Sequence, residues 1–465
     1  MIFPRSRLIW VLALALIPFA GLGASSPQIV LVSAGCVAVL FAFALLDAVL
    51  VYGSLDGISV DIPDVVYLLK DREGCINLRI KKQSARSLKI QLGLPLPAAI
   101  QSREKEYSAF LPAGDETFSL SWICTAIKRG KYWIDQYYIE GSSPLSLWSV
   151  RTVTRADAEV RVYPNLMNER KTLAPFFLKQ GKYGAHAQRQ VGRGRDFEKL
   201  RYYTPGDSYD EIHWKATAKR RFPITKVFQI ERTQEVYVVV DASRLSTRKL
   251  PIPIPDPGKN KQQIVQDAQL ESHRLISDTT LERFVTAALA LGMSAEQQGD
   301  HFGLLTFDHK VQKFLRAKSG KGHYSACREV LTTLQPQAIS PDFDDICSFI
   351  RVRLRRRALL VFLTSLDDPV LAEGFIRNMR MLCRQHLVMV CMVKPPGMQM
   401  LFSEGDMTSV DDLYRNLGGH MQLQSLNEMG KVLQRFGAHF SLLENERLIS
   451  QLISQYVALK QRQLL

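Results

Sequence analysis

The sequence lacks the cysteine pairs on which disulfide frameworks and zinc knuckles depend. It has seven cysteines, none of them belongs to a Cys-x-x-Cys pair, and their number is odd. A disulfide-stapled secreted domain and a zinc finger are therefore disfavoured, and a reducing compartment fits better. The chain does not need such staples, because its 465 residues are enough to bury several cores.

The sequence also lacks the short motifs that mark common enzyme classes. It has no Gly-x-Ser-x-Gly elbow, no His-Glu-x-x-His pair and no EF-hand loop. Residues 319–322 read Ser-Gly-Lys-Gly, but the spacing of a phosphate-binding loop is missing, and His323 follows where a hydroxyl would bind magnesium. His213 lies near Asp207 and Asp210 as an imaginable general base, although a polar turn residue is the simpler interpretation. The sequence therefore predicts no catalytic residue and no enzymatic activity.

Positive charge is in excess, and much of it is concentrated in one segment. The chain has 60 Lys+Arg against 45 Asp+Glu, a formal net charge of +15, and residues 167–232 contain 15 basic against 7 acidic residues. Aromatic residues are interleaved with the basic ones there: Tyr202, Tyr203, Trp214 and Phe228. Such a basic connector suits anionic lipid, nucleic acid or an acidic protein face. Nucleic acid is disfavoured, because no nucleic-acid-binding motif accompanies the basic residues.

Two apolar runs open the chain. Residues 8–24 carry no charge, and residues 29–53 carry only Asp47. Runs of this length predict a transmembrane helical hairpin over residues 1–54, joined by the polar loop 25–28. The alternative is a cleaved signal peptide, but its cleavage site would be poor and the second run would remain unexplained.

The charges that flank the two runs predict the orientation of the hairpin. Arg5 and Arg7 precede the first run, Lys70 and Arg72 follow the second, and the loop between the runs has neither Lys nor Arg. By the positive-inside rule, both termini and the soluble carboxy-terminal domain then face the cytoplasm of a bacterial inner membrane. Asp47 is expected to reach the membrane interface near the end of its span.

The rest of the chain changes periodicity twice. Over residues 55–166, short β-branched and aromatic segments alternate with turn residues, which predicts a small β-sandwich. The basic connector spans 167–232, and an α/β domain follows over 233–465, with a surface insertion at 244–279. In that domain, helical segments alternate with continuous apolar runs: 236–243, 301–307, 358–366 and 386–393. Because buried parallel strands have this pattern, the sequence predicts a doubly wound sheet whose ligands bind at the carboxyl ends of its strands.

Several separated motifs together resemble one known family. They are Arg129-Gly130-x-Tyr132, Ser143-Pro144-Leu145-x-Leu147-Trp148, Val162-Tyr163-Pro164, Phe197-x-x-Leu200-Arg201-x-Tyr203-x-Pro205-Gly206-Asp207, Ile212-x-Trp214-Lys215-Ala216, Val236–Ser243 and Tyr456-Val-Ala-Leu-Lys460-Gln-Arg462-Gln-Leu-Leu465. With the amino-terminal hairpin, their order and spacing resemble the MoxR-associated, membrane-anchored von Willebrand factor A-like proteins known as the domain of unknown function 58 family. The resemblance implies a von Willebrand factor A-like fold for the carboxy-terminal domain and no enzymatic activity.

The resemblance also implies a metal-adhesion site at the strand ends, with magnesium as its cofactor. Such sites use Asp-x-Ser-x-Ser after the first strand, and here Asp241 and Ser243 match while Leu245 replaces the second serine. Thr364 completes the set, but Ser365 stands where an aspartate usually follows. Magnesium needs near-octahedral oxygen ligands, so this degenerate site would need water and a partner's carboxylate. The alternative is that Asp241 only caps the turn after its strand.

The family resemblance implies partners rather than substrates. Its members are usually encoded beside MoxR-type AAA+ ATPases, and many also beside a transglutaminase-like membrane protein. We expect a membrane-anchored adaptor that binds such an ATPase and presents client proteins for the assembly or maturation of complexes. The residues expected to bind the partner are Arg201, Gly206, Asp207, Trp214 and Lys226. Two alternatives stay open: an envelope-assembly scaffold that works with the transglutaminase-like protein without an ATPase, and a binder of anionic lipid or nucleic acid through the basic connector.

Overall fold

The computed structural model of the chain describes most of its residues. They are residues 2–25, 27–82, 88–112, 117–166, 191–204, 208–229, 234–252, 276–398, 400 and 410–461. Gly206 and Asp207 of the predicted partner-binding set lie outside these ranges, as does the middle of the predicted insertion, 253–275. The chain divides into two compact units, Met1–Asn165 and Leu166–Leu465.

The amino-terminal unit begins with a short strand and two helices: β1 (Ile2–Pro4), α1 (Ser6–Ser25) and α2 (Pro27–Val51). Proline suits the first position of α2, where its missing N–H is not needed. The apolar runs are thus helical, but in the described part of the chain no helix is long and apolar enough to cross a membrane. The transmembrane hairpin predicted for residues 1–54 is therefore wrong. The predicted location, a two-span protein of the bacterial inner membrane with cytoplasmic termini, is wrong for the same reason.

The carboxyl half of α2 contacts the rest of the amino-terminal unit. An apolar run in the sequence does not reveal such contacts. Asp47 is buried, and its carboxylate accepts hydrogen bonds from Ser143 Oγ at 2.6 Å and from the Leu145 N–H at 3.2 Å. Trp148 Nε1 donates to the Ala44 carbonyl at 2.8 Å. Asp47, expected at a membrane interface, instead joins α2 to the loop that carries the Ser-Pro-Leu-x-Leu-Trp motif.

Two sheets follow in this unit and enclose one core. Their strands are β2 (Ile58–Asp61), β3 (Val65–Leu69), β4 (Glu73–Lys82), β5 (Leu88–Gly93), β6 (Ile100–Ser102), β7 (Glu106–Leu111), β8 (Thr117–Ala126), β9 (Gly130–Ser142) and β10 (Trp148–Tyr163). One sheet has the order β1-β10-β9-β5-β7, with β3 beside β10, and the other has the order β2-β4-β8-β6. Alternate residues of β4, namely Ile76, Leu78 and Ile80, are buried in the core with Trp122 of β8. As predicted, this region is a β-sandwich-like pair of sheets.

The carboxy-terminal unit contains a small basic module between the sandwich and the main sheet in the sequence. Its elements are β11 (Val191–Tyr202), a 3-10 turn (Tyr209–Glu211), α3 (Trp214–Arg220) and β12 (Ile224–Gln229). The two strands pair antiparallel, with Leu200 opposite Lys226. The helix ends at Arg220 and is capped by Arg221, which has a left-handed backbone and whose N–H donates to the Thr217 carbonyl at 2.8 Å. The described part of the basic connector is therefore a folded hairpin with an inserted helix.

The remaining strands form the main sheet and one separate pair. They are β13 (Glu235–Asp241), β14 (Lys249–Ile252), β15 (Ile276–Thr279), β16 (His301–Phe307), β17 (Val311–Lys318), β18 (Leu359–Leu363), β19 (Leu387–Val393) and β20 (His439–Leu443). β14 and β15 pair antiparallel at the two ends of the predicted insertion. The main sheet has the order β17-β16-β13-β18-β19-β20 and is parallel except for β17 at its edge. The predicted parallel sheet is thus present, although the sequence analysis missed β17 and β20.

Helices cover both faces of the main sheet. They are α4 (Thr280–Gln297), α5 (Lys321–Thr333), α6 (Phe343–Arg353), α7 (Pro369–Leu382), α8 (Val410–Arg435) and α9 (Leu448–Gln461). α4, α5 and α9 contribute to the core on one face, and α6, α7 and α8 contribute to the core on the other. In β13, Val236, Val238 and Val240 point into the first core, while Tyr237 and Val239 point into the second. Because both faces are covered, the strand is a continuous apolar run, and the sheet is doubly wound as predicted.

A buried carboxylate fixes the last helix. Asp300, in the turn between α4 and β16, accepts hydrogen bonds from the Tyr456 hydroxyl, from Lys460 Nζ at 2.8 Å and from the Gln234 N–H at 3.3 Å. Lys460 Nζ also donates to the Gln298 carbonyl at 2.9 Å. Burial, together with the charge of Asp300, raises the pKa of Tyr456 well above its usual value. The carboxy-terminal motif therefore has a structural role, because it joins α9 to the α4–β16 turn.

Candidate functional site

The carboxyl ends of β13 and β18 lie side by side and bring together the three residues predicted for the metal site. Val240 pairs with Leu363, so the residues that follow them, Asp241 and Thr364, meet at the same edge of the sheet. Thr364 Oγ1 donates to Asp241 Oδ2 at 2.5 Å, and the Ser243 N–H donates to Asp241 Oδ1 at 2.8 Å. We call Asp241, Ser243 and Thr364 the strand-end cluster.

The strand-end cluster is closed to water, since all three of its residues are wholly buried. Burial raises the pKa of Asp241, hydrogen bonds from Ser243 and Thr364 act in the opposite direction, and the charge of Asp308 adds to the rise. Ser243 also begins the short helical turn Arg244–Thr247, where its Oγ accepts a hydrogen bond from a backbone N–H at 3.3 Å. These contacts agree with the predicted alternative, in which Asp241 organises the turn after its strand.

Asp308 is a strand-end residue that the sequence analysis missed. It directly follows β16, which pairs with β13, so its charge acts on Asp241. Burial opposes its ionisation, but hydrogen bonds from the Lys310 N–H at 2.9 Å and the Gln312 amide at 2.6 Å hold the pKa of Asp308 below its usual value. His309, whose Nδ1 lies 3.0 Å from Asp308 Oδ1, acts in the same direction. The signal was available in the sequence, because a carboxylate directly follows that buried strand.

The donor set of the strand-end cluster does not fit a magnesium ion in this arrangement. It has one carboxylate and two hydroxyls, and both carboxylate oxygens already accept hydrogen bonds. Magnesium takes about six oxygen ligands in near-octahedral geometry. Over the described ranges, no group of three or more His, Cys, Asp or Glu side chains is placed to hold a metal. The magnesium site stays a prediction.

Two arginine–aspartate pairs lie directly after the strand-end cluster in the chain, and the sequence analysis did not identify them. Arg244 Nη2 donates to Asp368 Oδ2 at 2.8 Å, and Arg248 Nη2 donates to Asp367 Oδ2. Arg244 Nε also donates to Ser340 Oγ at 2.8 Å. The hydrogen bond from Arg244 holds the pKa of Asp368 below its usual value. The paired residues are 124 and 119 positions apart, so no local pattern in the sequence predicts them.

Local hydrogen bonds fix the fold of the basic module, which holds the other predicted site residues. His213 caps α3, because its Nδ1 accepts a hydrogen bond from the Ala216 N–H at 3.0 Å. The backbone N–H of His213 donates to the Ile224 carbonyl at 2.7 Å, and the backbone N–H of Ile224 donates to Thr217 Oγ1 at 3.0 Å. The ring of His213 is thus a helix cap, which accounts for this residue without the general-base role.

Large aromatic side chains of the basic module face the solvent. Trp214 exposes 65% of its surface and Tyr209 exposes 75%, and Tyr202 and Phe222 are also largely exposed. Exposed basic residues accompany them: Lys215, Lys219, Arg220 and Arg221. We call these eight residues the aromatic–basic surface. Exposed aromatic residues together with arginine are typical of protein interfaces.

The structure places only part of the predicted partner-binding set on this surface. Trp214 belongs to it, whereas Arg201 and Lys226 lie on the paired strands β11 and β12. Arg201 Nη1 donates to Thr204 Oγ1 at 2.6 Å, and Lys226 is partly buried. The exposed rings of Tyr209 and other aromatic residues were missed, because sequence alone does not separate an exposed ring from a buried one.

In comparisons with known proteins, much of the carboxy-terminal unit matches one family model. The family model described as Protein of unknown function DUF58 matches residues 199–248 and 264–414. Uncharacterized protein Rv1480 of Mycobacterium tuberculosis and uncharacterized protein Mb1516 of Mycobacterium bovis are each 22% identical over 231 residues, which is 49% of this chain and 64% of theirs. The chain thus covers less than two thirds of the length of these curated relatives.

Among solved structures, WR4, a C. elegans member of the MSP family, is 12% identical, with 23% of this chain and 97% of WR4 covered at a TM-score of 0.16. A TM-score this low carries no information about function. The residues that match the family model run from β11, through the strand-end cluster, into α8. On that match, residues 199–248 and 264–414 of this chain are similar to the DUF58 family.

Proposed function

We propose that this chain is a non-enzymatic adaptor that binds a MoxR-type AAA+ ATPase and presents client proteins to it for the assembly or maturation of complexes. The aromatic–basic surface carries the proposal, because it exposes four large aromatic residues and four basic ones on one small module. Tryptophan, tyrosine and arginine are the residues that most often dominate binding energy at interfaces. Most of the module also lies within the residues that match the family model.

The charge of the basic module favours an acidic partner face. Residues 208–229 contain five basic and two acidic residues. Charges around an interface mainly steer the encounter, while buried aromatic rings supply contact area. We therefore expect the docking face of the ATPase to combine acidic side chains with an apolar pocket for Trp214.

The closed strand-end cluster supports a role without catalysis. A general acid, base or nucleophile must reach its substrate, whereas Asp241, Ser243 and Thr364 are wholly buried. The doubly wound sheet supports the von Willebrand factor A-like assignment that the family resemblance implies. In this proposal the sheet is a rigid platform, and ATP hydrolysis belongs to the partner.

The test is binding of the purified full chain to a MoxR-type AAA+ ATPase from the same cells. Biolayer interferometry would measure it in magnesium with a slowly hydrolysed ATP analogue. Trp214→Ala should weaken binding at least about thirtyfold, since truncation of a hot-spot residue costs about 2 kcal/mol or more. Equal affinities of Trp214→Ala and the wild type, or no binding of the ATPase at all, would overturn the proposal.

Trp133→Ala is the matched control for this test. Trp133 exposes 57% of its surface on β9 in the amino-terminal unit, so it resembles Trp214 in residue type and in exposure. Its truncation should change the affinity less than about twofold, because most exposed residues outside a hot spot are energetically near neutral. A loss that is equal in both variants would mean that aromatic exposure in general, and not this surface, drives binding.

Two other outcomes would favour the alternative functions. Co-purification of a transglutaminase-like membrane protein without any ATPase would replace the adaptor with an envelope-assembly scaffold. Binding to anionic vesicles or single-stranded RNA that collapses between about 50 and 200 mM salt would favour lipid or nucleic acid, because counterion release makes such binding strongly salt-dependent.

A further inference from the structure

We propose that Arg244 and Arg248 form a binding site for the carboxylates of an acidic protein segment. In this site the two guanidinium groups supply the positive charge that an ion supplies in a metal-adhesion site. The site lies at the carboxyl edge of the main sheet, directly after the strand-end cluster in the chain. It does not involve the aromatic–basic surface, so it goes beyond the proposed function and does not rest on it.

The inference starts from the disagreement between this edge of the sheet and a metal site. Both oxygens of Asp241 accept hydrogen bonds inside the protein, and the residue is wholly buried. The carboxylates that follow Thr364, namely Asp367 and Asp368, are paired with guanidinium groups. An ion bound by Asp241 would have to displace the buried hydrogen bonds that this carboxylate accepts. The cations already present at this edge are arginines.

Arg244 is anchored, yet it reaches the solvent. Its Nε donates to Ser340 Oγ and its Nη2 to Asp368 Oδ2, each at 2.8 Å, and its backbone N–H donates to the Ile339 carbonyl at 2.9 Å. Even so, 44% of its side chain is exposed. Such an arginine is held in one orientation before a ligand arrives, which lowers the entropy that binding costs.

Arg248 follows Arg244 at the other end of the same short helical turn. Its carbonyl accepts hydrogen bonds from the N–H and the hydroxyl of Thr280, at 2.8 and 3.1 Å. Its Nη2 donates to Asp367, and 44% of its side chain is exposed. Two partly exposed guanidinium groups therefore extend from one fixed turn toward two adjacent aspartates.

Both arginines keep hydrogen-bond donors for an incoming carboxylate. A guanidinium has about five N–H donors in a planar fork that matches the two oxygens of a carboxylate. Arg244 Nη1 has no hydrogen-bond partner among the described residues, and the same is true of Nη1 and Nε of Arg248. The chemistry of these donors selects glutamate or aspartate side chains in the partner.

Asp367 and Asp368 take the place of partner carboxylates while no partner is bound. Exposed arginine–carboxylate pairs contribute only about 0–1 kcal/mol, so a partner's carboxylate can share or replace them at little cost. Asp368 does not depend on Arg244 for its position, because its Oδ1 also caps α7 by accepting hydrogen bonds from the Val370 N–H at 3.1 Å and the Leu371 N–H at 3.4 Å.

A fluorescein-labelled hexaglutamate peptide is the probe, and fluorescence anisotropy measures its binding to the full chain in EDTA and in magnesium. We expect saturable binding of equal affinity in both buffers. The double variant Arg244→Gln/Arg248→Gln should bind at least about tenfold more weakly, because charge-assisted, bidentate hydrogen bonds are lost. Arg248→Gln alone leaves Arg244 and its anchors intact, and it is the variant to use if the double variant does not fold.

The matched control is Arg380→Gln/Arg384→Gln. It removes the same charge from two exposed arginines at the end of α7, with the same spacing of four positions. Its affinity for hexaglutamate should fall less than about twofold, because general charge effects at the surface are small. Before affinities are compared, circular dichroism should show that each variant unfolds in the same transition as the wild type.

Three results would overturn the proposal: binding that requires magnesium, equal losses in the two double variants, and no binding of hexaglutamate at all. The first would indicate a metal-bridged site, and the second would mean that only net charge matters. None of these results depends on an ATPase, so this site and the proposed adaptor function can fail or stand separately.

Discussion

Trp214 and Asp241 belong to two regions of the carboxy-terminal unit that differ in their exposure to solvent. The aromatic–basic surface leaves Trp214 and Tyr209 largely exposed. The strand-end cluster buries Asp241, Ser243 and Thr364 completely and pairs the carboxylate with its neighbours. Both regions contain motifs that resemble the same family, yet one region is exposed to solvent and the other is buried.

The comparison distinguishes two roles of polar and aromatic residues in such motifs: to stabilise the fold, and to be available for binding. A buried polar group needs its hydrogen-bond partner for stability, because removing one partner leaves the other unsatisfied. An exposed ring contributes little to stability and is available to another molecule. Variants in the closed region should therefore lose stability, whereas variants in the open region should lose only binding.

The largest loss of stability is expected at Asp300, a further buried carboxylate of the same unit. Asp300→Ala should lower the free energy of unfolding by about 3–5 kcal/mol, because Lys460 loses its counter-ion in a partly buried position and Tyr456 loses its acceptor. Urea denaturation followed by circular dichroism would measure the change.

The control for Asp300→Ala is Glu373→Ala on α7. Glu373 is exposed, so its removal should change the free energy of unfolding by less than about 0.5 kcal/mol. A loss of under about 1 kcal/mol in Asp300→Ala would contradict the description of this cluster as a buried, mutually dependent set of groups.

The next largest effect is expected at Asp241, in the strand-end cluster itself. Asp241→Ala should lower the free energy of unfolding by about 1–3 kcal/mol, because the Thr364 hydroxyl and the Ser243 N–H lose their acceptor. The loss should be the same in magnesium and in EDTA, as measured by the Tm. Magnesium that stabilises the wild type but not Asp241→Ala would contradict the closed cluster and establish the metal site.

Asp241→Asn refines this test through its pH dependence. Burial raises the pKa of Asp241, so its contribution to stability is present below the unfolded value of 3.8 and is lost as the pH rises through the folded value. The asparagine variant should therefore lose less stability than the wild type as the pH rises from about 4 to 7. A steeper dependence in the variant would show that the charged form of Asp241 is the one that the fold favours.

A smaller effect is expected at His386, a buried residue just before β19 whose ring nitrogens have unmet hydrogen-bonding needs. In the described part of the chain, neither of its ring nitrogens has a hydrogen-bond partner. Burial lowers its pKa, and Glu235 opposes this weakly. Its contribution to stability is therefore present above the unfolded value of 6.5 and is lost as the pH falls through the folded value.

His386→Leu should remove this dependence, because leucine has no proton to gain. Between about pH 7.5 and pH 5, the wild type should lose about 1 kcal/mol more stability than the variant. Urea midpoints at the two pH values would measure the difference. Parallel losses in the two proteins would assign the acid sensitivity to other groups.

The smallest effect on stability is expected at Trp214, in the open region. Trp214→Ala should change the free energy of unfolding by less than about 0.5 kcal/mol, because the ring is mostly in water. Trp122→Ala is the contrasting variant, since that ring is wholly buried and its removal should cost about 3–5 kcal/mol. A large loss in Trp214→Ala would mean that unfolding explains any loss of binding in this variant, and the contrast between the two regions would not hold.

Much of the fold could be predicted from periodicity. The runs at 236–243, 301–307, 358–366 and 386–393 became β13, β16, β18 and β19, because strands covered on both faces are apolar throughout. β17 was missed, since it is an edge strand with exposed charges. The membrane hairpin was wrongly predicted, because hydropathy does not show that Asp47 and Ala44 accept hydrogen bonds from Ser143 and Trp148.

The candidate sites were predictable only in part. Asp241, Ser243 and Thr364 were expected to meet because parallel strands end at one edge, and the structure does bring them together. That their polar groups would satisfy one another, and that Arg244 and Arg248 would hold the neighbouring aspartates, had no signal in the sequence. Hydrogen bonds and exposure depend on which side chains the fold brings within reach.

The sequence by itself determined the order of the elements, the apolar faces that form the cores, and the strand ends at which polar groups gather. Each of these follows from residues within a few positions of one another. Only the tertiary structure decided that Ser143 donates a hydrogen bond to Asp47, 96 positions away, and Thr364 to Asp241, 123 positions away. It also decided that Trp214 is exposed to solvent. The physical reason is that local spacing governs periodicity, whereas burial and hydrogen bonding depend on segments that meet only after the chain has folded.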